Sequence, residues 1–214
     1  QTRTLANFLM NQLLPTLLWT LFGFTLGALP FSVWVGKLVL GKDIRQFGDK
    51  NPGATNVLRA GGALPFALAL MLDIAKGALP LGLAVHIFGV EGWAIVPISL
   101  GPPLGHTFSP FLNWQGGKAI AAAFGVWIGI TIWTMPLISL SLLIIFTLLI
   151  TPSGWAVMLA LGGMLAALLI WFGDPVLLGV WAGQVLLLAW NHQADLGKRP
   201  SLRRRQQTKE NTGK

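Results

Sequence analysis

The sequence predicts an all-α, polytopic integral membrane helical bundle of about seven transmembrane helices. Three observations carry this. Of the 214 residues, 54% are apolar and only 10% are charged, against about 25% charged in an ordinary soluble domain. The mean hydropathy is +0.67. The apolar residues also run in stretches of spanning length, punctuated by charge, proline and glycine. With no cysteine and no tyrosine, disulfide scaffolds, cysteine-ligated zinc, thiol nucleophiles and phenol chemistry are excluded.

A spanning helix needs roughly 20 mostly apolar residues. By that criterion the spans fall at roughly 13–37, 62–88, 93–112, 117–133, 135–151, 154–172 and 174–191. The first two are long enough to tilt. The stretch Ala119–Ile150 divides near Thr134, and the last spans are joined by short turns at Pro152–Ser153 and Gly173. Gly23-xxx-Gly27, Ala119–Ala123 and Gly125-xxx-Gly129 are small-residue surfaces of the kind that let helices approach closely in lipid. The whole of 1–214 reads as one transmembrane domain, with 198–214 a basic, flexible tail. Gln1–Leu14 holds one basic residue and no compact apolar run before a small-residue cleavage site, so no signal peptide is expected.

The net charge of +8 is a topology signal. With seven spans, the loop after span 1, the loop after span 3 and the C-terminal tail share one side. They hold thirteen of the fifteen basic residues: Lys37, Lys42, Arg45, Lys50 and Arg59; Lys118; and Lys198, Arg199, Arg203, Arg204, Arg205, Lys209 and Lys214. Lys76 lies within span 2, and Arg3 alone is on the other side. Basic loops stay in the cytoplasm, so the N-terminus is expected outside and the C-terminus inside a bacterial plasma (inner) membrane. The Arg203–Arg205 run is expected to meet anionic lipid headgroups. Nucleic-acid binding is not expected, because the charge lies beside spans rather than on a soluble reading face.

The polar residues collect in a few places. The loop after span 1 runs from Gly41 to Arg59 and combines Asp49, Lys50, Asn51, Gly53, Thr55, Asn56 and Arg59. Glycine-rich turns aim backbone N–H groups at anions, and arginine presents a planar fork to phosphate. The bland alternative is a polar connector. The loop after span 3 carries His106 and ends Gly116-Gly117-Lys118 before a small-residue helix. Free amides at a helix start, beside an ammonium, favour an anion. The GxxxxGK[ST] nucleotide loop is not matched. Asp73 and Lys76 are spaced i, i+3 on one face of span 2, where charge in lipid must pair or face a polar cavity. Pairing is one reading, and Lys76 aimed at the substrate site is the other. His192 and Asp195 follow span 7 on the basic side, whereas His86 and Glu91 fall on the opposite one. No Ser-His-Asp order, HxxxxD or HExxH pattern is present, which argues against hydrolase, zinc-protease and soluble-type acyltransferase readings. Neither a metal nor a cofactor site is expected.

Three stretches occur in order: Gly27-Ala-Leu-Pro-Phe through Asp43-Ile-Arg to GDKNPGATNVLR ending at Arg59; Asp73-Ile-Ala-Lys-Gly77; and Gly105-His-Thr-Phe-Ser-Pro-Phe through Gly116-Gly-Lys118. Together they resemble the bacterial acyl-phosphate-dependent glycerol-3-phosphate acyltransferase family. The resemblance extends more weakly to His192. It implies a seven-span membrane enzyme with a cytoplasmic-facing site. The implied reaction moves a fatty acyl group from acyl phosphate to the 1-hydroxyl of glycerol 3-phosphate, giving lysophosphatidic acid and phosphate.

Carried over by position, Arg59, Lys118 and His192 would bind glycerol 3-phosphate, and the Gly53–Asn56 turn with Gly116 and Gly117 would hold phosphate. The resemblance leaves three candidates for the base: His106, His192 and a substrate phosphate oxygen. The chain departs from the family pattern at four points. The family usually carries Gly-Ser-Gly-Asn where this chain has Gly48-Asp49-Lys50-Asn51. Gln115 replaces the first lysine of KGGK, Asp195 replaces an asparagine of the tail motif, and Ala28 replaces a serine. The alternatives to the main reading are a transporter of a phosphorylated solute, a divergent acyltransferase with another acceptor, and a non-catalytic lipid-binding descendant. Spans 4 to 7 are nearly free of charge and show no internal repeat, which disfavours transport.

Overall fold

The computed structural model describes residues 12–203. They are helical throughout, apart from turns and one pair of two-residue strands. The helices are α1 (Leu14–Ala28), α2 (Phe31–Leu40), α3 (Ala54–Gly61), α4 (Ala63–Gly82), α5 (Ile95–Thr107), α6 (Ile120–Thr131), α7 (Thr134–Leu149), α8 (Ser153–Ala167), α9 (Pro175–Asn191) and the single turn α10 (Gln193–Leu196). Wider π-type turns extend α4 through Leu83–Ile87 and α8 through Leu168–Phe172.

Three stretches, Leu14–Leu40, Ala63–Ile87 and Ser153–Phe172, are long and apolar enough to cross a bilayer, while α6, α7 and α9 are apolar but shorter. Large apolar side chains such as Leu17, Leu21, Leu64, Met71, Ile170 and Leu186 stand exposed along these helices. A soluble monomer does not leave so much apolar surface in water, but lipid accepts it. Trp93, Trp133, Trp171 and Trp190 are exposed at helix ends, the level at which tryptophan meets headgroups.

Two expected elements differ. Span 1 is not one helix. Leu29 is extended (φ −62°, ψ 123°), because Pro30 offers no N–H and its ring disfavours the helical conformation in the residue before it. The loop after span 1 is also not all loop. It contains one 3₁₀ turn at Ile44–Gln46 and the helix α3, so Arg59 rides on a helix. Lys42 steadies that helix by donating to the Ala60 carbonyl at 2.7 Å, an end where cations are favoured.

The chain forms two compact units, Gln1–Ile132 and Trp133–Lys214. In the first, α1 packs on α5 and α4 on α6 along the small residues picked out in the sequence. A methyl at Gly27 would overlap the Pro102 backbone, and one at Gly125 would overlap the Ile74 carbonyl. Val33, Val35, Ile44, Val57, Ala60 and Ala69 form an apolar cluster joining α2, α3 and α4.

In the second unit, α7 and α9 both pack on α8, and Trp181 donates to the Leu161 carbonyl at 2.9 Å. Ile150–Thr151 pairs antiparallel with Ser201–Leu202, and Trp155 donates to the Lys198 carbonyl. The beginning of the expected flexible tail is therefore tied down. Arg204, Arg205, Lys209 and Lys214 lie outside the described residues, as does Arg3.

Candidate functional site

In the first unit the loop before α3 and the segment before α6 meet at one polar cluster. Gly48 (φ +57°) and Lys50 (φ +62°) turn the chain sharply on either side of Asp49. Gly48 has room only for hydrogen, because a Cβ there would run into Arg59 Nη1 and Asn56 Oδ1. Asn51 follows and acts as the hub. Its Oδ1 accepts from the Lys118 backbone N–H at 3.1 Å, and its carbonyl accepts from Asn56 Nδ2 at 2.9 Å. Gly53 caps α3. Thr55 is exposed on the first turn of that helix, Asn56 is buried, and Arg59 is exposed one turn on. Asn56 Oδ1 accepts from Arg59 Nη1 at 2.9 Å.

These groups converge on the Asp49 carboxylate. Oδ2 lies 3.0 Å from Lys118 Nζ. Oδ1 accepts from Asn56 Nδ2 at 3.0 Å and from the Asn51 N–H at 3.3 Å, and lies 3.6 Å from Arg59 Nη1. Burial pushes the Asp49 carboxyl up. The hydrogen bond and charge of Lys118, with the Asn51 and Asn56 donors, outweigh burial and hold it below the usual carboxylate range. Lys50 is exposed beside it. Arg45, although in the same loop, is withdrawn into a bidentate pair with Asp43 at 2.9 and 2.7 Å, which holds the Asp43 carboxyl at about 2.

One expectation needs correction. The amides of Gly116 and Gly117 are not free at a helix start. Gly116 N–H donates to the Thr107 carbonyl at 2.9 Å and Gly117 N–H to the His106 carbonyl at 3.0 Å, and α6 begins only at Ile120. The two glycines are needed for close approach, since a Cβ at Gly117 would sit on His106 Nε2. His106 is buried directly beneath Gly117, on the floor of the segment that presents Lys118.

Deeper in the unit, Lys76 Nζ pairs with Asp73 Oδ1 at 2.8 Å, with both side chains at most 2% exposed. Lys76 also donates to the Leu29 carbonyl at 3.2 Å, and Ser32 donates to Asp73 Oδ2 at 2.5 Å. Ser109 donates to the Ala28 carbonyl at 2.5 Å. The carbonyls that the α1–α2 break removes from the helix ladder are thus supplied with donors. A small cavity lined by Leu29, Lys76, His106, Ser109 and Gly117 joins this buried pair to the floor of the polar cluster.

In the second unit, His192 closes α9 and is 1% exposed. Its Nδ1–H donates to the Leu188 carbonyl at 2.8 Å, since a carbonyl can only accept. Asp195 Oδ2 accepts from Ser153 Oγ and from Gly154 N–H, both at 3.1 Å. Its charge therefore sits at the start of α8, the end of a helix that favours an anion.

The family model for glycerol-3-phosphate acyltransferase matches residues 17–199. The chain belongs to the glycerol-3-phosphate acyltransferase family. That match runs through both compact units, and the protein is a membrane acyltransferase. A glycerol-3-phosphate acyltransferase of Synechococcus sp. (strain CC9902) is 33% identical, with 86% of this chain and 92% of the relative covered. One from Albidiferax ferrireducens is 31% identical, with 92% and 91% covered. Among solved structures, PlsY, an integral membrane glycerol 3-phosphate acyltransferase, is similar in its glycerol 3-phosphate form. The TM-score is 0.76 at 29% identity, over 86% of this chain and 90% of that one. Its lysophosphatidic acid form gives a TM-score of 0.75 at 28% identity.

Of the residues singled out in the sequence, the fold gathers Asp49, Asn51, Asn56, Arg59 and Lys118 into one cluster, with Lys50 and Thr55 exposed and Gly53 buried at the start of α3. Lys76 and His106 lie beneath. The sequence reading missed Ser32 and Ser109. Their signal was available, because a hydroxyl in an apolar run has to find an acceptor. The need for glycine at position 48 is not visible in the sequence, since the side chains that crowd it come from α3.

Proposed function

We propose that the chain transfers a fatty acyl group from acyl phosphate to the 1-hydroxyl of glycerol 3-phosphate, releasing lysophosphatidic acid and inorganic phosphate. The observation that supports this most is the convergence of Lys118 and Arg59, with Asn51 and Asn56, on a single anionic group at a half-exposed site. Two cations, one of them a planar fork, beside neutral amide donors suit a phosphate monoester.

An acyl phosphate is already an activated mixed anhydride, so a protein nucleophile is unnecessary. The substrate hydroxyl oxygen attacks the acyl carbon. A C–O ester bond forms, the acyl–phosphate C–O bond breaks, and the hydroxyl proton leaves to an oxygen of the departing phosphate. The protein holds the two substrates in line and neutralises the negative charge that grows on the phosphate. Lys118 and Arg59 supply the positive charge that offsets it and fix the phosphate of the acceptor, which the Gly53–Asn56 turn orients. We assign His106 and Lys76 to positioning, beneath the segment that carries Lys118. His192, whose Nδ1–H donates to the Leu188 carbonyl, and Asp195 are assigned to glycerol 3-phosphate on the family resemblance alone. The site faces the cytoplasm of a bacterial plasma membrane, N-terminus outside and C-terminus inside, and the basic tail meets anionic headgroups.

The test is phosphate release by the purified full chain in lipid. Release that requires both acyl phosphate and glycerol 3-phosphate, with lysophosphatidic acid detected by mass spectrometry, is expected. Solute flux across vesicles without chemistry would replace this reading with transport.

A further inference from the structure

We propose that Asp49 is a built-in competitor for the substrate's phosphate: its carboxylate occupies the donors that a phosphate monoester needs and has to give them up for substrate to bind. The inference rests on the site reading above and specifies how that site is regulated.

The geometry is that of an anion already in place. One oxygen takes Lys118 Nζ, and the other takes the Asn56 amide and the Asn51 N–H, with Arg59 Nη1 at 3.6 Å. Those donors come from the loop, from α3 and from the segment before α6, so the carboxylate sits where three parts of the chain aim positive ends. Nothing in the hydrophobic packing holds it there. The Asp49 side chain is 44% exposed, in a turn between two left-handed residues, Gly48 and Lys50. Its withdrawal into solvent takes one acceptor from the buried Asn56 amide, whereas Asn56 and Asn51 stay tied to each other and to the Lys118 backbone.

The donor frame thus survives departure of the carboxylate. Substrate then meets a population in which only part of the molecules has the carboxylate withdrawn from the donors, and its apparent affinity falls by that fraction. Half-exposed ion pairs are individually weak, so the competition is modest and readily reversed, as a working enzyme requires.

The rival account makes Asp49 a brace that keeps two like charges together. The two accounts predict opposite signs. The experiment compares wild-type, Asp49→Ser, Asp49→Asn and Asp43→Asn full-length proteins in lipid nanodiscs. Kd for glycerol 3-phosphate and for inorganic phosphate is measured by calorimetry, and KM and kcat by phosphate release. Asp43→Asn removes a carboxylate from the same loop whose hydrogen bonds, among the described residues, go to Arg45, and controls for net charge.

The expected result is that Asp49→Ser lowers Kd for both anions, and KM for glycerol 3-phosphate, by about 3- to 10-fold. Asp49→Asn, which keeps an acceptor oxygen but no charge, shifts both constants in the same direction, and Asp43→Asn leaves them unchanged. The proposal is overturned by a folded Asp49→Ser protein whose Kd and KM are unchanged or raised, by an equal gain in Asp43→Asn, or by a fall in kcat at constant KM. Failure of every protein, wild type included, to bind glycerol 3-phosphate or release phosphate would instead remove the function on which it stands.

Discussion

Lys76→Met tests whether the buried cation belongs to the scaffold or to the substrate site. The substitution keeps the length of the stem and removes the ammonium. In the structure Lys76 and Asp73 are at most 2% exposed and 2.8 Å apart, so the change strands a carboxylate whose remaining support is the Ser32 hydroxyl. Breaking a buried pair in this one-sided way costs about 3–5 kcal/mol. The lost hydrogen bond to the Leu29 carbonyl adds about 1 kcal/mol. At roughly 2–4 °C per kcal/mol for a chain of this length, Tm should fall by about 8–24 °C.

The double variant Lys76→Met, Asp73→Asn removes both charges and leaves Ser32 its acceptor, so it should recover more than half of that loss. Thermal unfolding of the purified protein in one detergent, followed by intrinsic tryptophan fluorescence, reads both. A Lys76→Met protein as stable as wild type, with a raised KM for glycerol 3-phosphate, would refute the scaffold assignment and put Lys76 in the substrate site. A double variant no more stable than the single one would refute the stranded-charge explanation.

Three further outcomes follow from the same geometry. Lys118→Ala and Arg59→Ala should each lower kcat roughly 10²–10³-fold while the protein stays folded and extractable, since both side chains are partly exposed at 26% and 49%; wild-type rates in both would reject the cluster as the site. Gly117→Ala drives a methyl against the buried His106 ring, so stability should drop by about 1–3 kcal/mol and turnover with it; unchanged Tm and rate would show that the ring is free to move. The Asp43–Arg45 pair gives an acid-side effect of defined sign: the folded carboxyl sits at about 2 against 3.8, so its stabilisation is complete above about pH 4 and is lost as pH falls toward 2. Because the pair is largely exposed, its size is under about 1 kcal/mol, and acid titration of unfolding in Asp43→Asn should show a slightly shallower slope in that window alone.

The helical membrane class, the positions of the long helices and the polar character of the loops after the first and third spans were legible in the sequence. Each depends on local properties: apolar runs of spanning length, breaks at charge and proline, and small residues repeated along one helix face. The small-residue surfaces Gly23-xxx-Gly27 and Gly125-xxx-Gly129 pack as that pattern implies, because a glycine's space requirement is the same whatever it packs against. The i, i+3 spacing of Asp73 and Lys76 placed them on one helix face, and left open whether Lys76 pairs with Asp73 or points at the substrate site.

Tertiary structure decided which donors remain available and which are already committed. Asn51 and Lys118 are 67 positions apart in the chain, yet one amide oxygen joins them. The Gly116 and Gly117 amides looked free because helix-start chemistry was read from their neighbours, whereas carbonyls of His106 and Thr107 had taken them. Asp49 departs from the family's serine, and only the fold brings Lys118, Asn56 and Arg59 around its carboxylate. Helix formation follows from nearest neighbours and hydropathy. Hydrogen-bond satisfaction and charge pairing are settled only when distant segments meet, since each buried or crowded polar group takes whichever partner the packed fold brings within about 3 Å.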